Sequence, residues 1–244
     1  MVRARYSGST RGLSKNSTPT RPVQEVLSPE ERKSKVVYVA DGGPITYGTA
    51  ANATLGFAAI HSYASLLHAV NFAEPYRNLA VAANNSTIGR VDSYANGHSP
   101  AIFTYLPEDD LYTAQAGASN ATFTTYLSNL GSYLAARRAA GYTVVFLTSL
   151  PRSEPVEWNG GWDNYWRLLQ NNTVTSWIGT NIDSVCDFGG ISAMNNVSNT
   201  AIYTPWHGTA NSTFSAGVFP TEYAHTILAD FLKDHLKTVH YVKI

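Results

Sequence analysis

Scarcity bounds this chain first. Its 244 residues include a single cysteine, Cys186, which excludes an intrachain disulfide and any cysteine-built metal cluster. Charged residues make up only 14%, and seventeen Lys/Arg cancel seventeen Asp/Glu, so nucleic acid is not an expected partner. No apolar run resembles a secretory signal or is long enough to span a membrane, so the chain reads as soluble. His61 and His68 are seven apart on one expected helix and cannot easily share a metal. No metal or other cofactor is expected. What is present is 44% apolar and 12% aromatic residues, enough for one sizeable core and one main domain.

The charge is unevenly spread. Residues 1–35 carry eight Lys/Arg against three Asp/Glu, so the other 209, with nine against fourteen, are about five units negative. Rich in Ser, Thr, Pro, Gly and Arg and poor in large apolar side chains, residues 1–35 cannot offset the entropy of ordering. They are expected to form a flexible basic arm ahead of a domain at 36–244, and Arg3, Arg5, Arg11, Lys15 and Arg21, which precede any acid, permit docking to nucleic acid or to other protein subunits, the latter favoured here, and read equally as a solvated tail. Eight Asn-x-Ser/Thr sequons occur, at Asn16, Asn52, Asn84, Asn85, Asn120, Asn171, Asn196 and Asn211. They matter as acceptors only in a secretory pathway, and are read here as polar surface loops of an exposed assembly protein, on a virion surface or extracellular.

Beyond residue 35 the pattern alternates strands and helices, which argues for a mainly parallel sheet with helices on both faces. Strands are expected at 35–40, 78–82, 101–106, 142–150 and 184–188. A helix is expected at 56–70. Phe123, Tyr126, Leu127, Leu130, Tyr133 and Leu134 mark one face of a helix at 121–140 that stops at Gly141. Further helices are expected at 162–178 and at 222–236, the last with Ala224, Ile227, Leu228, Phe231 and His235 inward.

The segment Val36-Val37-Tyr38-Val39-Ala40-Asp41-Gly42-Gly43-Pro44-Ile45-Thr46-Tyr47-Gly48 reads as a buried strand running into a glycine-rich turn. It resembles the opening G-D-S-[IL]-T-x-G block of the SGNH (GDSL) hydrolases, with Gly43 and Pro44 where the aspartate and nucleophilic serine belong. Asn78-Leu79-Ala80-Val81-Ala82-Ala83-Asn84 is similar to the second block, N-x-A-V-x-G, with Ala83 or Asn84 at the glycine. Leu106-Pro107-Glu108-Asp109-Asp110-Leu111 looks like L-G-x-N-D-L, placing Asp109 where an asparagine would donate to the oxyanion. Near the end, Ala216-Gly217-Val218-Phe219-Pro220-Thr221 resembles D-G-V-H-P-[TN], with Ala216 and Phe219 at the triad aspartate and histidine. The resemblance, over about residues 35–238, implies a three-layer α/β/α sandwich of the flavodoxin-like kind. It also implies that the catalytic blocks are replaced: proline has no nucleophile, and an ionised Asp109 would repel the charge a donor there stabilises.

Other constellations carry other chemistry. Glu108-Asp109-Asp110, at the end of an expected strand, suits a cation or acid–base work, and equally a solvated loop. His207 beside Trp206 is a candidate displaced histidine, with no serine identifiably paired to it. Trp158 and Trp206, with His207, suit recognition of a surface glycan by stacking. Trp162, Tyr165 and Trp166 follow helical spacing and read equally as core. Three functions stand open: a non-catalytic structural or attachment component of a larger assembly, such as a virion decoration, spike or tail protein; a glycan-binding module; or an acyl-ester or acetyl-ester hydrolase with a rearranged site.

Overall fold

Val37–Gly42 (β1) is buried at every position after the first, and Ala101–Leu106 (β3) is buried throughout. Such continuous apolar runs belong to strands covered on both faces, as in parallel sheets. The computed structural model describes residues 36–47, 62–71, 91–95, 101–107, 120–151, 162–196, 199, 201–204 and 219–240. Within these, Val70–Asn71 (β2), Thr143–Leu147 (β4) and Ser184–Cys186 (β5) join β1 and β3 in one sheet of order β2-β1-β3-β4-β5. All four pairings are parallel. Tyr203–Thr204 (β6) and Phe219–Pro220 (β7) form a separate antiparallel ribbon. Residues 1–35 lie outside the described residues, as does the expected strand at 78–82.

The alternation of side chains along these strands sorts the core into two layers. Tyr38, Ala40, Ile102, Leu106, Val145, Leu147 and Cys186 face one side. Tyr63–Leu66 (α2) and Glu222–His240 (α5) cover them. Val39, Phe103, Tyr105, Val144 and Phe146 face the other side. There they meet Asn120–Ala139 (α3) and Trp162–Thr175 (α4). The expected three-layer sandwich is therefore the observed one.

Helix α3 follows its sequence closely: Phe123, Tyr126, Leu130, Tyr133 and Leu134 are buried and Leu127 is partly so. Gly141, at φ +101°, ends it. Tyr142 N–H donates to Arg137 O and Gly141 N–H to Arg138 O, the paired bonds of a glycine-terminated helix. On the same helix Arg137 is buried, with Nε 2.8 Å from Asp92 Oδ1 and Nη2 donating to Oδ2 at 3.0 Å.

Four expectations need correction. The helix expected to run to residue 70 ends at Leu66, because His68 takes a left-handed conformation at φ 57° and turns the chain into β2. A short helix, Pro44–Tyr47 (α1), replaces part of the expected glycine-rich turn, with Pro44 at its first position, where the missing N–H costs nothing. On α5 the buried set is Ala224, His225, Leu228, Ala229, Leu232 and Leu236, while Phe231 is 41% exposed. The helix is thus rotated by about one residue from the expected stripe. Asn171 sits inside α4, where its Oδ1 accepts the Ser149 N–H at 3.3 Å, so this sequon is not a surface loop.

Candidate functional site

Chain order places the site. From β1 the chain goes to β2 on one side and then crosses to β3 on the other, so the connections diverge above the carboxyl ends of β1 and β3. In open α/β sheets that is where ligands bind. The residues there are Asp41-Gly42-Gly43-Pro44 and Leu106-Pro107, with Thr148-Ser149-Leu150-Pro151 following β4 beside them.

Gly42 makes this edge tight. At φ +151°, a Cβ added there would lie 2.4 Å from Leu106 O and 2.7 Å from Thr46 Oγ1, distances no real side chain adopts. Gly43 N–H donates to Leu106 O at 3.4 Å, carrying the β1–β3 pairing past its last register pair, Gly42↔Leu106. Asp41, fully buried, accepts the Gly42 N–H at 2.9 Å through Oδ1 and the Tyr133 hydroxyl through Oδ2.

Two further polar groups flank the crevice. On the α5 side, Thr46 Oγ1 and Tyr63 OH are 2.8 Å apart, and Tyr63 N–H donates to His225 Nδ1 at 3.2 Å. The Tyr63 and His225 rings stack at 6.2 Å. Burial holds the His225 imidazole neutral, with its pKa pushed down to about 3, and because Nδ1 accepts, the proton sits on Nε2, which is buried with no hydrogen-bond partner among the described residues. On the α4 side, Ser149 Oγ donates to Pro107 O at 2.8 Å while Gln170 Nε2 donates to Ser149 Oγ at 2.8 Å, and Tyr126 OH donates to Gln170 Oε1. Thr148 Oγ1 donates to Asp187 Oδ1 at 2.7 Å and accepts the Gly189 N–H at 2.8 Å.

This arrangement ties hydroxyls and carboxylates to each other and to backbone. Nucleophilic catalysis needs a hydroxyl or thiol within reach of a base that a third group orients. Among the described residues at this edge, the imidazole that approaches is His225, and its Nδ1 is taken by a backbone amide. Cys186, the lone thiol, is buried on β5, and desolvation pushes its pKa up. The described serine that does meet histidine lies elsewhere: Ser184 Oγ is 2.9 Å from His235 Nε2 and 2.7 Å from His240 Nε2. Ten and fifteen residues beyond His225 on one helix, these rings are about 15 and 22 Å along its axis.

Of the residues singled out from sequence, Gly43 is buried at the β1 tip, Pro44 opens α1, and Phe219 pairs with Thr204 in the ribbon that leads into α5. Tyr63 bridges the two segments, bonding to α1 at Thr46 and to α5 at His225. Ala83, Asn84, Asp109, Ala216, Trp158, Trp206 and His207 lie outside the described residues. Sequence reasoning missed Asp41, Thr46, Tyr63, Ser149, Gln170 and His225. A signal existed for Ser149, which follows the most β-branched strand of the chain, where α/β sites collect. For His225 the signal was its place on the Leu228, Leu232, Leu236 face.

No family model matches the chain and no curated protein matches it. Solved structures do. A member of the lipolytic protein G-D-S-L family from Veillonella parvula shares 11% identity at a TM-score of 0.55, over 85% of this chain and 100% of that one. A GDSL-like lipase from Bacteroides thetaiotaomicron shares 15% identity at 0.54, over 86% and 92%. The psychrotrophic esterase EstA from Pseudoalteromonas, solved with monoethylphosphonate as inhibitor, shares 12% at 0.54, over 84% and 99%. The chain therefore has the fold of the GDSL/SGNH hydrolases.

Proposed function

We propose that this chain is an SGNH-type domain without the Ser-His-Asp chemistry, serving as a structural or attachment component of a larger assembly. The carrying observation is the tip of β1, where Gly43 and Pro44 stand at the positions of the aspartate and the serine and supply neither a carboxylate nor a hydroxyl. The hydrogen bonds of Asp41, Thr46, Tyr63, Ser149 and Gln170 support the same reading, since they are those of a packed interior. The basic segment 1–35 is proposed to dock the domain onto neighbouring subunits, and Trp158, Trp206 and His207 to serve any glycan contact.

A second reading has its own support, because the proteins that share this fold are named as lipases and esterases. It takes the chain as an acyl-ester hydrolase with a rearranged site. The two separate in one experiment: turnover of short p-nitrophenyl esters by the purified chain, with a serine-directed phosphonate as probe. The structural reading expects hydrolysis no faster than a surface-matched control protein and no stoichiometric label. Phosphonate-sensitive turnover with one labelled residue overturns it and identifies the nucleophile.

A further inference from the structure

We propose that Ser184, His235 and His240 form a binding site for one divalent metal ion of the borderline class, with Zn2+ as the ion to test. Both imidazoles aim Nε2 at a single point, the Ser184 hydroxyl, at 2.9 and 2.7 Å. A hydroxyl has one proton to give, so in the metal-free cluster Ser184 donates to one ring and accepts an N–H from the other. One Nε2 lone pair already faces the shared point, and the second is freed by moving its proton to Nδ1. Neutral imidazole nitrogens converging in this way suit Zn2+, Ni2+ or Cu2+ and not the oxygen-seeking Mg2+ or Ca2+.

The adjustment required is an opening of each contact and a swing of each ring off the hydroxyl toward the ion. Metal–nitrogen bonds of about 2.0–2.1 Å in a tetrahedral shell separate neighbouring ligand atoms by roughly 3.3 Å, so each N···O contact has to open by a few tenths of an ångström. His240 is the last residue of α5, where the backbone yields most readily, and the two rings stand 5.9 Å apart, centroid to centroid. Among the described residues no third His, Cys, Asp or Glu side chain joins them, so the neutral hydroxyl and water complete the shell. The site is thus weaker than a four-ligand structural zinc. Asp183 stays outside it, held by Arg138 Nε at 3.0 Å and the Val144 N–H at 2.8 Å. The ion would pin the end of the last helix to β5, the edge strand of the sheet.

The test uses the untagged full-length chain, stripped with EDTA and titrated with ZnCl2 at pH 7.5 by calorimetry. One saturable ion per chain is expected, with an EDTA-reversible rise in melting temperature. His235→Ala and His240→Ala should each weaken binding tenfold or more, Ser184→Ala less than either, and His68→Ala not at all. On the unmodified chain, Zn2+ should shield His235 and His240, but not His68, from diethyl pyrocarbonate as read by mass spectrometry. Absence of saturable binding, unchanged affinity in the His235→Ala/His240→Ala chain, or equal labelling of His235 and His240 with and without Zn2+ overturns the proposal.

Discussion

Lowering the pH from 7 to 5 should destabilise this protein through a histidine buried in its core. His225 is fully buried and its pKa falls from 6.5 to about 3 on folding, because desolvation disfavours the imidazolium. The unfolded chain therefore takes up the proton first. The stabilisation is complete above pH 6.5 and drains away as the pH falls through the window from 6.5 to 3. Those two values give a loss of about 2 kcal/mol between pH 7 and pH 5, within a full span of about 5 kcal/mol reached below pH 3. For a domain of this size, 2 kcal/mol is a drop in melting temperature of about 4–8 °C. The comparison chain is His225→Asn, whose side-chain oxygen can still accept the Tyr63 N–H but does not titrate. Whatever the substitution costs in packing is the same at both pH values, and every other histidine contributes equally in the two chains. Urea melts of both chains at pH 7 and pH 5 isolate His225 as the difference of differences. If both chains lose the same stability on acidification, the buried neutral imidazole is not the acid-sensitive element and the reasoning fails.

Two further outcomes follow from packing. Asp92→Ala leaves the Arg137 guanidinium, whose side chain is 2% exposed, buried without its partner, whereas Arg137→Met leaves an Asp92 that is 31% exposed and can reach water. Asp92→Ala should therefore cost about 3 kcal/mol or more and exceed Arg137→Met in denaturant melts; the opposite ranking refutes the assignment of Arg137 as the more deeply desolvated partner. Gly42→Ala should cost about 3 kcal/mol, since its methyl meets Leu106 O and Thr46 Oγ1, while Gly141→Ala, with nothing within 4 Å, should cost only the roughly 1 kcal/mol of its positive φ. Equal losses at the two glycines would show that contact at Gly42 contributes nothing.

The layers of this fold were legible where one local signal sufficed. Ala101–Leu106 was placed to the residue by its unbroken apolar run, and α3 by its period and by the glycine that ends it. Where two signals competed, the sequence misled. Phe231 and His235 share a helical stripe with Leu228, yet α5 turns His225 and Leu232 inward instead, because burial against α2 and the sheet is decided by tertiary fit and not by which residue is most apolar. The polar contacts were illegible for a simpler reason. Asp41 meets Tyr133 across 92 positions, His225 meets Tyr63 across 162, and Ser184 meets His240 across 56. Separations of that size leave no period for a single sequence to display.

The tip of β1 links sequence and chemistry most directly. A crevice opens at a switch point because neighbouring strands part above their carboxyl ends and leave space for a side chain and a ligand. Here the Gly43 N–H keeps β1 bonded to Leu106 O after the register ends, and Gly42 occupies a gap that a methyl group would overfill. Gly42 is therefore required by how closely β1 and β3 approach, and neither it nor Gly43 carries a side chain into this edge. Pro44 follows from the same constraint: its fixed φ starts α1 at once, and the missing N–H is one that a first helical residue cannot use. The next hydroxyl along the chain, Thr46, is 2.8 Å from Tyr63 OH, and Tyr63 in turn donates its amide to His225. The hydroxyl and the imidazole thus bond to opposite ends of Tyr63, one to its phenol and the other to its amide. Tyr63 stands between them, and these two contacts pack α2 against α1 and α5.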